Sequence, residues 1–199
     1  LTRESTNAIE WLQNLGVNLD ILSKCGGHSF ARTHKNYIKP GERAVNVGFA
    51  IIDRLTKAVK ERKGQIELIT NAKVIKIVTN SKQKGVIYEN EEKKHIHLNL
   101  DAVILTTGGF SADREGLLQK YGKHLLDLPT TNGPWTLGEG IKLAEELGAQ
   151  LVDMEEIQLH PTAFINPKDP KSKTVFLAPE ALRAFGGLLF NQNGERFVN

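Results

Sequence analysis

The sequence predicts a mixed fold of the α/β and α+β classes, and three observations support this. Apolar residues recur at helical spacing over about 4–15 and 47–62. Short β-branched segments between about 66 and 100 alternate apolar with polar residues, which is typical of a small antiparallel meander. The continuous apolar run at 102–105 is typical of a strand buried on both faces of a parallel sheet.

The helices are predicted from their apolar faces and their ends. The first ends before Gly16, and the second ends in a basic turn followed by Gly64, which suits the helix dipole and a left-handed cap. The loop between these helices, at 23–46, is of a length that indicates either a functional segment or a disordered one. Two further helices are predicted over 113–121 and 138–147.

The strands are predicted from alternation and turn residues. The meander segments are 66–69, 72–79, 85–88 and 95–100, with polar turns at 80–84 and 89–94. After Gly148 the pattern changes to short strands and turns, and a composition break near Met154 is the predicted domain boundary.

The composition excludes several function classes. The 199 residues are 40% hydrophobic and 25% charged, as in ordinary globular domains. A net charge of +3, spread along the chain, does not favour nucleic-acid binding. No apolar stretch is long enough to predict a membrane span. Cys25 is the single cysteine, which excludes an internal disulfide, and no metal site is expected. A reducing compartment fits this cysteine content.

Two glycine-rich turns are candidate ligand sites. Thr107, Gly108 and Gly109 follow the predicted buried strand, where a backbone without Cβ atoms can approach a phosphate or ribose. Glu139 lies at the start of a predicted helix between two glycines, where unpaired N–H groups can face an anion. An ordinary tight turn and an ordinary helix start are the alternatives.

Three polar residues near the C-terminal end are candidates for substrate chemistry. His160, with Gln158 on the same side of a predicted short strand, can donate a hydrogen bond to a carboxylate, or it is a satisfied core histidine. Glu180 and Arg183 share a helical face, either as a surface ion pair or as a functional pair. Their apolar and small neighbours favour partial burial and function.

Taken together, eight segments occur in the order and approximate spacing of the soluble fumarate reductase family. The chain therefore resembles fungal and protist osmotic-growth-type enzymes and bacterial flavocytochrome c. The segments are 25–29, 32–34, 105–110, 128–133, 138–140, 158–162, 180–183 and 193–199.

The resemblance implies a cofactor, FAD, bound non-covalently. Residues 1–153 would be part of a Rossmann-like FAD-binding domain with an antiparallel meander, and 154–199 the start of a capping, or clamp, domain. The resemblance also assigns cofactor contacts. Val74 would meet the adenine end of FAD through its backbone, and Thr107, Gly108 and Gly109 would lie near the ribose and pyrophosphate. Glu139 stands in place of the family's cofactor-contacting Asp, and Gly27, His28 and Ser29 would lie close to the flavin.

The resemblance further implies reduction of fumarate to succinate. His160 and Glu180 would bind the dicarboxylate, and Glu180 with Arg183 would form a proton relay. Pro179 stands where many members have Thr, and Ala184 replaces a usual Gly. Since these departures lie beside the relay, a urocanate reductase or an aspartate oxidase is the alternative enzyme. The presence of His160, Glu180 and Arg183, which suit a carboxylate, weighs against a ketosteroid substrate.

Several expected parts of the family pattern are absent from the 199 residues. The Gly-x-Gly-x-x-Gly phosphate loop is expected before Leu1, and the proton-donor arginine is expected after Asn199. We therefore expect the isolated chain to be inactive and the longer parent protein to be the enzyme. A non-catalytic module is the remaining alternative. The electron donor is not encoded here, and a cytoplasmic or mitochondrial location is expected.

Overall fold

The computed structural model describes residues 2–36, 40–41, 45–80 and 84–198. Contacts divide the chain into two compact units, Leu1–Leu68 with Pro179–Asn199, and Ile69–Ala178. The boundary expected at Met154 concerns family domains rather than such units, and it stays a prediction.

Helices and short antiparallel strands make up both units. The helices are α1 (Ser5–Asn14), α2 (Val47–Glu61), α3 (Leu117–Tyr121), α4 (Glu139–Glu146) and α5 (Ala181–Ala184), with single 3-10 turns at Thr2–Glu4 and Lys123–Leu125. The strands are β1 (Ile21–Ser23), β2 (Thr33–Lys35), β3 (Lys73–Thr79), β4 (Lys84–Glu89), β5 (His95–Asn99), β6 (Ala163–Phe164) and β7 (Phe176–Leu177). None of the described helices has the length and apolar character needed to cross a membrane.

In the first unit, α1 and α2 form where their apolar faces predict them. Gly16 follows α1 with a φ of +93°, a left-handed conformation that favours glycine. The Arg54 guanidinium on α2 donates to the carbonyl of Leu15. Val17 and Leu19 lie beyond Gly16 and are buried. The end of α1 is thereby held against α2. In the loop between these two helices, β1 pairs with β2.

In the second unit, β3, β4 and β5 form the predicted antiparallel meander. Val86 pairs with Ile77 on one side and with Leu98 on the other. Gly85 has a φ of +150°, and a Cβ there would lie 1.8 Å from the Leu98 carbonyl oxygen, so only glycine permits this pairing. The middle of the predicted turn at 80–84 lies outside the described residues.

A small apolar core fixes α4 on the meander. Ile77, Val86 and Leu143 are buried together, and Val74 and Leu98 pack against them. Because Leu143 belongs to α4 while the other four lie on strands, this core determines where α4 begins relative to β3.

The strands predicted at 66–69 and at 102–105 are wrong. Neither 102–105 nor 66–69 forms a strand, and no described strand pairs with either segment. Ile104 is 86% exposed, so the run is not buried on both faces. A strand requires a hydrogen-bonded neighbour, and apolar composition alone does not supply one.

The third predicted helix is shorter than expected, and Asp113 explains its start. The Leu117 N–H donates to the Asp113 carboxylate at 2.8 Å, and Lys142 of α4 pairs with the same oxygen at 2.8 Å. Burial alone would raise the pKa of Asp113, but the Leu117 N–H and Lys142 together hold that pKa below its usual 3.8. Asp113 thereby joins the start of α3 to α4.

We expect Asp113→Ala to lower the free energy of unfolding at pH 7 by about 1–3 kcal/mol, because a partly buried charge-assisted hydrogen bond is lost. The folded-state pKa is depressed, so this stabilisation is present above pH 3.8 and is lost as the pH falls through the folded value. Denaturant unfolding midpoints of the wild type and of Asp113→Ala, measured at pH 7 and in acid, check this. The difference between the two midpoints should shrink in acid, and a difference that grows would contradict the expectation.

Candidate functional site

The two glycine-rich turns predicted as separate motifs form one surface in the second unit. The Gly138 N–H donates to the Gly109 carbonyl at 3.0 Å. A Cβ added at Gly140 would lie 2.1 Å from Thr107 Oγ1, so the threonine packs directly on the helix backbone. The turn at 107–109 and the start of α4 therefore lie against each other.

The start of α4 offers unpaired hydrogen-bond donors. Gly138 precedes the helix with a φ of +65°, and no side chain caps it. Because the first N–H groups of a helix have no intrahelical acceptor and lie at the positive end of the dipole, they suit an anion or a polar cofactor edge.

Open space lies against the preceding turn. Among the described residues, no atom beyond the chain neighbours lies within 4 Å of a Cβ added at Gly108 or Gly109, and Gly108 has a φ of +73°. A bare backbone with room beside it, next to free N–H donors, fits the ribose and pyrophosphate of FAD. Residues Thr107, Gly108, Gly109 and Glu139 thus lie close together, while their contacts with FAD stay a prediction.

A lysine that the sequence did not single out meets Glu139. Lys73 Nζ lies 2.7 Å from Glu139 Oε1, and the hydrogen bond and charge of Glu139 raise the pKa of Lys73 above 10.5. This pair lines an open depression of about 660 Å³ that Trp135 also borders. Lys73 and Glu139 lie far apart in sequence, so no local pattern could have indicated their contact.

Val74, the predicted adenine contact, follows Lys73 on β3. Its side chain packs against the apolar core, so only its backbone is free to meet a ligand. The β3–β4 register shifts between Val74 and Lys76, a bulge that leaves a backbone group outside the ladder.

In the first unit, the turn at 25–29 lies beside Glu180 and Arg183. The His28 N–H donates to the Cys25 carbonyl at 3.1 Å, which closes the turn, and Gly27 has a φ of +76°. A Cβ at Gly26 would lie 3.3 Å from Glu180 Oε1 and 3.9 Å from Arg183 Cβ. Gly27, His28 and Ser29 are therefore brought near the predicted relay, although their contacts with a flavin stay a prediction.

Glu180 and Arg183 contact each other as their spacing predicts. The Arg183 Nη2 and Glu180 Oε1 atoms are 3.4 Å apart, and the side chains are 51% and 42% exposed, respectively. The pair is therefore partly buried, as its apolar and small neighbours indicated, although Phe185 itself is exposed. The pair is held at the start of α5, where the Arg183 N–H donates to the Glu180 carbonyl.

His160 lies in the second unit, in a segment without regular structure. The strand predicted over Gln158 and His160 is wrong, since the pairing begins at β6 beyond Pro161. His160 Nδ1 lies 2.8 Å from the Thr162 carbonyl oxygen. The Thr162 N–H also lies 3.3 Å from the same Nδ1, so both contacts of this nitrogen are with the Thr162 backbone and Nε2 is left for another partner.

Comparisons with known proteins identify the family of this chain. A family model described as "FAD binding domain" matches residues 1–199. The chain is 40% identical over 204 residues to Fumarate reductase 1 of Saccharomyces cerevisiae, covering 100% of this chain and 43% of that protein. It is 37% identical over 205 residues to the Fumarate reductase of Schizosaccharomyces pombe, covering 100% of this chain and 40% of that protein.

A solved structure is also similar. The open conformation of a flavocytochrome c3 fumarate reductase superposes with a TM-score of 0.77 at 30% identity, covering 98% of this chain and 32% of that chain. The resemblance to soluble fumarate reductases is confirmed, as are the mixed fold class and FAD as the cofactor. The chain spans less than half the length of the curated relatives it matches.

We expect Gly109→Ala, in the full-length protein that contains this chain, to weaken FAD binding about tenfold, since the methyl group fills space that the cofactor needs. Flavin fluorescence titration of the apoprotein measures this affinity. The unfolding midpoint of the apoprotein should stay unchanged, because the added Cβ meets no atom within 4 Å in the described part of the chain apart from its sequence neighbours.

The matched control is Gly48→Ala on α2, where an added Cβ also meets nothing within 4 Å. It should leave the affinity for FAD unchanged. Wild-type affinity in Gly109→Ala would contradict the placement of FAD against this turn.

Proposed function

Since the chain belongs to the FAD binding domain family, we propose that the protein containing it reduces fumarate, or a closely similar unsaturated dicarboxylate, to the saturated acid. The names of its relatives support an oxidoreductase of this type. The observation that carries the proposal is the Glu180–Arg183 ion pair packed against Gly26. This arrangement joins an acid and a cation to the turn that the resemblance places near the flavin.

The reaction adds a hydride to one alkene carbon and a proton to the other, which converts fumarate to succinate. Reduced FAD, when bound, supplies the hydride. The chain's own residues have two tasks: to hold a dianion in a fixed orientation and to deliver the proton. Both tasks lower the barrier through positioning and electrostatic stabilisation.

His160 is suited to holding a carboxylate. Its Nδ1 is engaged by the Thr162 backbone, which leaves Nε2 as the ring nitrogen for a substrate. A charge-assisted hydrogen bond from that atom to a substrate carboxylate contributes about 1.5–3 kcal/mol. Pro161 follows directly and restricts the backbone beside the ring.

Glu180 and Arg183 are suited to moving a proton. Both side chains are about half exposed, so Glu180 can take up a proton from water. The Arg183 guanidinium compensates the carboxylate charge that remains when Glu180 gives its proton away. This partial exposure fits a relay that begins at the protein surface.

On the cofactor side, we propose contacts with FAD from Val74, Thr107, Gly108, Gly109 and Glu139, and from Gly27, His28 and Ser29. The open turn and the uncapped start of α4 support the first group. Non-covalent attachment, the domain boundary at Met154, and a cytoplasmic or mitochondrial location stay predictions for the parent protein.

We expect Glu180→Gln and Arg183→Ala in the full-length protein to lower the rate of fumarate reduction about 100-fold, because each removes a member of the proton relay. The flavin spectrum and FAD content should be unchanged. Steady-state kinetics with reduced FAD as the electron source measure the effect.

The control is Asp53→Asn, which breaks another half-exposed ion pair, the Asp53–Lys57 pair of α2. It should reduce fumarate at the wild-type rate. Relay variants that lose less than a few-fold would show that the Glu180–Arg183 pair is an ordinary surface contact. A wild-type protein that oxidises L-aspartate and leaves fumarate unchanged would favour the alternative enzyme.

A further inference from the structure

The Lys73–Glu139 ion pair joins the two elements that border the proposed cofactor surface. Lys73 is the first residue of β3 and Glu139 the first residue of α4. Their atoms are 2.7 Å apart, and their side chains are 60% and 42% exposed, respectively. The pair therefore lies at the rim of the open depression rather than in the core.

The charges around Lys73 favour Glu139 as its partner. Glu89 lies opposite Lys73 in the β3–β4 register and is the competing carboxylate. Glu89 is already paired with Lys93 at 2.8 Å. Glu91, which also borders the depression, accepts a hydrogen bond from Asn71. Lys73 is thus left to bind the carboxylate at the start of α4.

An unpaired carboxylate at this position would oppose cofactor binding. FAD carries a negatively charged pyrophosphate, and Glu139 stands beside the helix start that would receive it. Like charges at close range repel, whereas a paired carboxylate is partly neutralised and held in one direction.

We propose that Lys73 is a positioning residue for FAD binding, which acts by holding and neutralising the Glu139 carboxylate. The inference rests on the placement of FAD beside Glu139 proposed above. Lys73 needs no contact with the cofactor itself, since its ammonium is already engaged by Glu139.

The test measures FAD affinity by fluorescence titration of the full-length apoprotein. Lys73→Met keeps the length of the side chain and removes its charge, and it should weaken FAD binding about fourfold, as expected for a half-exposed ion pair. Lys73→Arg keeps the charge and should bind FAD within about twofold of wild type. The Glu139→Gln background should abolish the effect of Lys73→Met, because no carboxylate remains to be held.

Lys57→Met is the matched control. Lys57 pairs with Asp53 at the same 2.7 Å, with side-chain exposures of 60% and 43%, but on α2. It should leave FAD affinity unchanged, which separates the loss of a surface charge from the loss of positioning.

Two results would overturn the inference. Wild-type FAD affinity in Lys73→Met would show that the pair has no role in binding. An undiminished fourfold loss in the Glu139→Gln background would show that Lys73 contacts the cofactor directly. A protein that behaves as expected in these titrations but does not reduce fumarate would refute the proposed function and leave this inference standing.

Discussion

The packing of Leu143 against Ile77 and Val86 is the interaction on which the proposed cofactor surface depends. Burying one leucine side chain stabilises a fold by about 1.5–3 kcal/mol, and here it also fixes the position of α4 on the meander. Once α4 is held there, its uncapped first turn lies beside Gly109, and Glu139 reaches Lys73. A small apolar contact thereby determines the geometry of a polar site that lies outside it.

Patterns within a short stretch of sequence were sufficient to predict the longer helices and the strands of the meander. The apolar faces predicted α1 and α2 within one or two residues, and alternation predicted β3, β4 and β5. The same reasoning failed at 102–105 and 66–69, where the residue types are right for strands but no described neighbour supplies the hydrogen bonds. It failed again at His160, where Pro161 interrupts the segment and the pairing starts later. Strand formation depends on a partner that a short window of sequence does not contain.

The sequence predicted which residues belong to the candidate site, but it did not predict which of them contact each other. Motif order indicated Thr107, Glu139 and Glu180 through resemblance to a family. It could not indicate that Thr107 packs on Gly140, or that Gly26 lies against Glu180, since these residues are distant in sequence. Lys73 was missed for the same reason. The partial burial of Glu180, in contrast, agrees with what its apolar and small neighbours indicated.

The most direct test of the central claim is a single-turnover experiment on the full-length protein that contains this chain. The bound flavin is reduced without oxygen, fumarate is added, and the visible absorbance of the flavin is followed together with the formation of succinate. The account predicts that fumarate restores the absorbance of oxidised flavin, with one succinate formed per flavin reoxidised. A flavin that binds but stays reduced in the presence of fumarate would contradict the proposed activity.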